Sequence, residues 1–183
     1  MKKIFIIIIV LFIILGAVGA ITYYKLSDNF NLMSHEISSD DEKYSMKVPL
    51  AWKSCPPASD QGILAAQSKD GSTFVNVSID SKYMQSDETI EDYVYSYINR
   101  IAQNSDNPLV QVLTVAPKQA VIEDKSGYYF ELDTSAGNIM LHTWDFVYTS
   151  SNGYVHIDVA AKGDSQKKMK YISKGIIASF KIK

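Results

Sequence analysis

The chain is poor in the residues that most directly announce chemistry. It has one cysteine, Cys55, in 183 residues. One cysteine closes no internal disulfide, so the fold must be held by its core. There are three histidines, His35, His142 and His156, which leaves little material for a histidine-rich metal site. HExxH, GxSxG, phosphate-loop and GxGxxG motifs are all missing, so the common metalloprotease, serine-hydrolase and nucleotide-binding signatures are excluded. Beyond Lys25 there are 15 basic against 20 acidic residues, a net charge near −5. No run of basic residues stands out, and this argues against nucleic acid or anionic lipid as a partner.

What the chain does have is one long apolar run. Ile4 to Tyr24 carries no charge; Lys2 and Lys3 precede it and Lys25 closes it. As a helix of about 1.5 Å per residue it spans roughly 31 Å, the thickness of a bilayer's hydrocarbon core. Two readings follow. In the one adopted, residues 1–25 are an uncleaved membrane anchor, because Ile21, Tyr23 and Tyr24 extend the run and add interfacial aromatics. In the other, Ile4 to Leu15 is a signal core and the small residues Gly16, Ala17, Gly19 and Ala20 mark a cleavage region. Both readings keep the two leading lysines in the cytoplasm and carry the rest across the membrane.

Residues 26–42 are polar and read as a tether from membrane to domain. Within them Asp40, Asp41 and Glu42 read as a solvated run. A flexible tether of that length gives a search shell of roughly 20–25 Å. The folded domain is expected over 43–183, about 140 residues, enough for one core without a disulfide staple.

Periodicity then lays out the domain. Lys43 to Val48 alternates and stops at Pro49, giving a strand and then a loop through Trp52 and Pro56-Pro57, with Cys55 in it. Ile63–Gln67 and Thr73–Ile79 flank Asp70-Gly71 as a hairpin. Ser86 caps a helix over Asp87–Gln103, whose apolar stripe is Ile90, Val94, Tyr97, Ile98 and Ile101. Val110–Val115 and Gln119–Glu123 are strand-like pieces around Pro117. A three-stranded meander follows. With Asn152-Gly153 as a two-residue turn, Phe146 faces Val159 and Tyr148 faces Ile157. With Ala136-Gly137-Asn138 as a three-residue loop, Phe130 faces Trp144, Leu132 faces His142, Glu131 faces Thr143 and Asp133 faces Leu141. One face then collects Tyr128, Phe130, Leu132, Met140, Trp144, Phe146, Ile157 and Val159. Glu131, Asp133 and Asp145 share the other, solvated face, while His142 and His156 point to opposite sides. Asp164 caps a last helix with Met169, Ile172 and Ile176 inward, and IIASFKIK packs at the end.

This order of elements makes an α+β domain, an antiparallel sheet with helices packed on it. The segments YSMKVPLAW, SDETIEDYV, YYFEL, WDFVYT and IIASF, spread over Lys43 to Lys183, resemble the PsbP-like fold family. That family includes the extrinsic PsbP protein of photosystem II and a Ran-binding nuclear import factor. The resemblance implies an α/β/α sandwich used as a binding or assembly module. No metal-ligand or Ran-contact motif of those proteins is matched here, so their partners are not implied.

No catalytic, cofactor-binding or metal-binding residues are assigned from the sequence. The domain is expected to be a monomeric, non-enzymatic binding or accessory domain of the bacterial envelope, outside the membrane, with another envelope protein as its partner. Tyr95, Tyr129 and Tyr154, off the main apolar face, are the candidate partner surface. The competing class is an exported hydrolase, in which a Cys55–histidine pair would have to meet in one pocket.

Overall fold

A computed structural model of the protein describes residues 30, 33–81, 88–103, 110–136 and 139–183. The apolar segment Ile4–Tyr24, the predicted cap Ser86 and most of the Ala136–Asn138 loop lie outside them. Among the described residues no helix is long and apolar enough to cross a membrane.

The described residues include, in order, β1 (Ser34–Ser38), β2 (Tyr44–Pro49), β3 (Lys53–Ser54), β4 (Gly62–Gln67), β5 (Thr73–Asp80), α1 (Ile90–Gln103), β6 (Val110–Ile122), β7 (Lys125–Ala136), β8 (Ile139–Ser150), β9 (Gly153–Lys162), α2 (Ser165–Ser179) and β10 (Lys181–Ile182). Seven strands form one sheet in the order β3-β4-β5-β9-β8-β7-β6, and β1-β2-β10 form a second. Every ladder is antiparallel.

The apolar side chains of the large sheet divide between its faces. Val75, Val77, Trp144, Phe146, Val155, Ile157 and Val159 meet Met169, Ile176 and Ile177 of α2 and Met46 and Val48 of β2. On the other face, Tyr128, Phe130, Leu132, Val147 and Tyr154 meet Tyr93 and Val94 of α1. Both faces are therefore covered, the arrangement expected of an α+β sandwich.

Three expectations change. The first concerns the tether. Ser34–Ser38 pairs residue for residue with β2, from Ser34 opposite Pro49 to Ser38 opposite Ser45. Ile37 is buried, and so is Phe30. The folded unit therefore begins well before Lys43. The acidic run is a hairpin turn, in which Ser39 N–H donates to Tyr44 O and Glu42 N–H to Ser39 O. Asp41 accepts from the Ser39 hydroxyl at 2.7 Å and from Lys43 N–H at 3.2 Å. Those bonds and the Lys43 ammonium hold its carboxyl at about 2. The turn joining β4 to β5 repeats the device with Ser68, Asp70 and Ser72. Serine, aspartate and the local backbone close both turns without a core contact.

The second change is in the meander. Trp144 is buried and sits with Phe146, Ile157 and Val159, as the alternation requires. Yet Ser150 pairs with Gly153, so Ser151 and Asn152 are the turn residues, and Phe146 faces Ile157 rather than Val159. Moving a turn by one residue shifts partners by two and keeps every side chain on its face. The other hairpin behaves differently. Ala136 pairs with Ile139, leaving two residues in the loop rather than three. That shift by one turns β7 over. Phe130 now faces Asp145 and Leu132 faces Thr143. Tyr128, Phe130 and Leu132 go under α1, and Glu131 and Asp133 join the face of Trp144 and His142. Met140 is 54% exposed and not in the core.

The third change is local. Helix α1 begins at Ile90, and Thr89 supplies its cap. Asp92 N–H donates to Thr89 Oγ1 and Thr89 N–H to Asp92 Oδ2, each at 3.2 Å, a reciprocal capping box. Pro117 does not split β6; the edge strand runs through it with register shifts between Leu113 and Lys118, where a missing N–H costs no ladder bond.

Candidate functional site

Two charged clusters among the described residues lie on opposite faces of the large sheet, each built around one histidine.

Under α1, strands β5, β9 and β8 bring Asn76, Asp158 and Asp145 into one cross-strand row. Two carboxylates directly opposite each other repel if both are charged. Three side-chain contacts and a raised carboxyl relieve this. His156 Nε2 lies 2.8 Å from Asp145 Oδ1. Thr143 Oγ1 donates to Asp145 Oδ2 at 2.5 Å. Asn76 Nδ2 donates to Asp158 Oδ2 at 3.1 Å. The Asp158 carboxyl is pushed up to about 6, chiefly by burial, with His156 opposing and Asp145 adding to the rise. Burial also works against a charge on His156, but the Asp145 hydrogen bond and the charges of Asp145 and Asp158 outweigh it and hold the imidazole above its ordinary value.

Tyr97 of α1 closes this row from above, edge-on to His156 with ring centroids 4.3 Å apart. Beside it opens a cleft of about 510 Å³ whose walls include Gln61, Tyr97, Arg100, His156 and Asp158. His156 and Asp145 are each only 2% exposed. His156 touches the cleft wall with little exposed surface and its Nε2 is engaged by Asp145, so the pair is poorly placed as an acid–base couple: a general base must reach a substrate proton within hydrogen-bond distance. The sequence did hold a signal here, since Asp145, His156 and Asp158 interrupt otherwise apolar strands. Only the register shows that they meet.

On the α2 face, His142 stands between two acids. Its Nδ1 is 2.6 Å from Asp133 Oδ1 and its Nε2 3.2 Å from Glu131 Oε2. Tyr129 donates its hydroxyl to Glu131 Oε1 at 2.6 Å, and burial first, then Glu131, raises that phenol above its ordinary range. Trp144 contacts the His142 ring edge-on at 4.4 Å. The trio Glu131, Asp133 and Asp145 is thus split across the sheet. Among the described residues no group of three or more metal-ligating side chains is arranged to hold an ion.

Cys55 lines a separate cleft, of about 640 Å³, with Tyr44, Pro56 and Ile63 among its walls and no histidine. Burial pushes its thiol up, the opposite of what an activated nucleophile needs.

The three tyrosines do not form one surface. Tyr95 is 45% exposed on α1, but Tyr129 and Tyr154 are buried. Tyr154 lies under α1, where its hydroxyl donates to Glu88 O at 2.8 Å. Tyr129 lies on the opposite face, with the ammonium groups of Lys118 and Lys174 about 6 Å from its ring. Sequence reasoning also missed a concentration of charge. Helix α2 carries Lys167, Lys168, Lys170 and Lys174, all exposed, and no acidic residue.

Solved structures share this architecture. PsbP (CyanoP) of Synechocystis sp. PCC 6803 is 16% identical, with a TM-score of 0.64 over 82% of this chain and 93% of that one. The Ran-binding protein Mog1p of Saccharomyces cerevisiae is 6% identical, with a TM-score of 0.54 over 81% of this chain and 95% of that one. A protein of Bacteroides thetaiotaomicron is 10% identical, with a TM-score of 0.53 over 82% of this chain and 49% of its own. No protein-family model and no curated protein sequence matches the chain. The protein therefore has a PsbP-like fold. At such identities the likeness describes the fold and assigns no activity.

Proposed function

We propose that the protein is a membrane-anchored, extracytoplasmic binding or accessory domain of the bacterial envelope that works by contact rather than by turnover. The observation that carries this reading is the position of Phe30. Its ring packs against Gly175 of α2, so only residues 25–29 separate the apolar run from a side chain packed on the domain. Even fully extended, the chain from Tyr24 to Phe30 reaches about 20 Å. The domain is about 40 Å across. It is held against the membrane surface, and any partner must lie in that membrane or beside it. Such confinement raises effective concentration and suits a weak, specific contact.

Three features support contact over catalysis. His156 is almost fully buried with its Nε2 on Asp145, both nitrogens of His142 are engaged by carboxylates, and the Cys55 cleft holds no histidine. The fold is also that of a protein described as Ran-binding.

The test is topological and biochemical. The full chain should stay in membranes through an alkaline carbonate wash, and external protease should digest the domain in spheroplasts. Crosslinking in intact cells should capture a defined envelope protein. A soluble product starting near Ile21 would establish the cleaved-signal form, and a protease-protected cytoplasmic domain would defeat both forms. Hydrolysis abolished by Cys55→Ser or His142→Ala would replace the contact reading with the hydrolase.

A further inference from the structure

We infer that the outer face of α2 lies on the anionic headgroups of the membrane that holds the chain's own apolar segment. This deepens the anchored reading and rests on it. Helical spacing puts Lys167, Lys170, Tyr171 and Lys174 on one stripe, at i, i+3, i+4 and i+7. The three lysines are exposed and Tyr171 is 60% exposed. No acidic side chain occurs in Ser165–Ser179, and among the described residues no ion pair engages these lysines. The adjoining stripe of the helix is in the core through Met169, Ser173, Ile176 and Ile177. That packing fixes the roll of the helix, with Lys167 and Tyr171 outward and Lys170 and Lys174 at the margin of the core, where the Lys174 ammonium lies 5.9 Å from the Tyr129 ring.

Two facts choose a lipid surface over other occupants. The first is where the chain enters. Phe30 packs on Gly175, on the flank of this same helix and beside its lysine stripe. With five residues between Phe30 and the apolar run, α2 is the helix delivered to the bilayer. The second is charge. The chain beyond Lys25 is net acidic, near −5, so an anionic membrane repels most orientations of the domain. It attracts the orientation that presents α2, because clustered lysines gain most within a Debye length, about 8 Å at physiological salt, of anionic lipid. Tyr171, apolar ring and polar tip together, suits the headgroup level. Docking would fix which sides of the domain remain free for a partner, and the cleft under α1, on the opposite face of the sheet, would stay open to it.

The full chain is reconstituted in vesicles of phosphatidylcholine alone and in vesicles with about 30% phosphatidylglycerol. Lysine acetylation rates are then read residue by residue by mass spectrometry. Lys167, Lys170 and Lys174 should react roughly threefold or more slowly in the anionic vesicles, and molar salt should erase the difference. Lys53, on the edge strand β3, should not change. The triple variant K167E/K170E/K174E should lose protection at Lys168 while keeping its unfolding midpoint. A carbonate wash of the same vesicles reads anchoring separately. A chain that resists the wash but shows equal lysine reactivity in both vesicles overturns the docking and leaves the anchor standing. A chain washed free overturns the anchor and the docking with it. Protection that ignores lipid charge but grows with protein density would assign the face to a second copy of the chain and also overturn the proposal.

Discussion

The ring of Phe30 occupies the space a side chain on Gly175 would need. A Cβ built at Gly175 meets Phe30 Cδ1 at 2.8 Å and Cγ at 3.1 Å. Glycine is required here for close approach, not for an unusual backbone angle. Gly175→Val should expel the ring while the rest of the core stays closed. The readout is limited proteolysis: cleavage before Ser34 should accelerate, with the fragment from β1 onward still resistant. Phe30→Ala should cost about 2–3 kcal/mol in urea unfolding, the value of a largely buried aromatic at the margin of a core. No loss in either measurement would mean that the domain starts later and is more loosely leashed.

Trp144 lies at the centre of the larger core, 2% exposed and against His142. Trp144→Ala should destabilise by about 3–5 kcal/mol. Phe130, fully buried on the other face, should show a similar loss as Phe130→Ala. Unfolding of purified variants separates the two faces: Val94→Ala on α1 should be strongly non-additive with Phe130→Ala and additive with Trp144→Ala. The reverse pattern would restore the alternative register of β7.

Asp158 makes stability depend on pH. Its carboxyl titrates near 6 in the fold against an ordinary 3.8, so the folded state holds a proton more tightly than the unfolded chain. The resulting stabilisation is complete below about pH 4 and is lost as pH rises through 6. His156, also raised, extends the loss above 6.5 in the same direction. Asp41 and Asp70, held at about 2, act oppositely, but only between about pH 4 and 2. Asp158→Asn should therefore flatten the fall in unfolding midpoint between pH 4 and 6. An unchanged slope in that window would show that the row is not the source.

Cys55 should behave as a half-buried structural thiol. Burial raises its pKa, so a thiol reagent at neutral pH should label it more slowly than free cysteine. Cys55→Ser should alter stability by less than about 1 kcal/mol, since the cleft is open and the side chain only part-buried. Fast labelling would point to an activated thiol and reopen the hydrolase reading.

Much of this architecture was legible in the chain alone. Period-two alternation located the strands, and the 3.6-residue stripe located both helices. The meander alternation put Trp144, Phe146, Ile157 and Val159 on one face and His142 and His156 on opposite sides. Those features survive because they depend on neighbours a few residues apart. The β8–β9 faces even tolerate a misplaced turn, since a centre moved by one residue preserves parity.

Three things only the tertiary structure decided. The face of β7 turned on a single loop residue, because both faces of the sheet are covered and the Tyr128, Phe130 and Leu132 stripe could enter either core. The strand at Ser34–Ser38 carries one buried residue by its own pattern, Ile37, and exists because β2 offers it a ladder. The lysine face of α2 became a face only when Met169, Ile176 and Ile177 entered the core and left the charge outside. In each case the deciding energy is long-range burial or pairing, which local sequence does not carry.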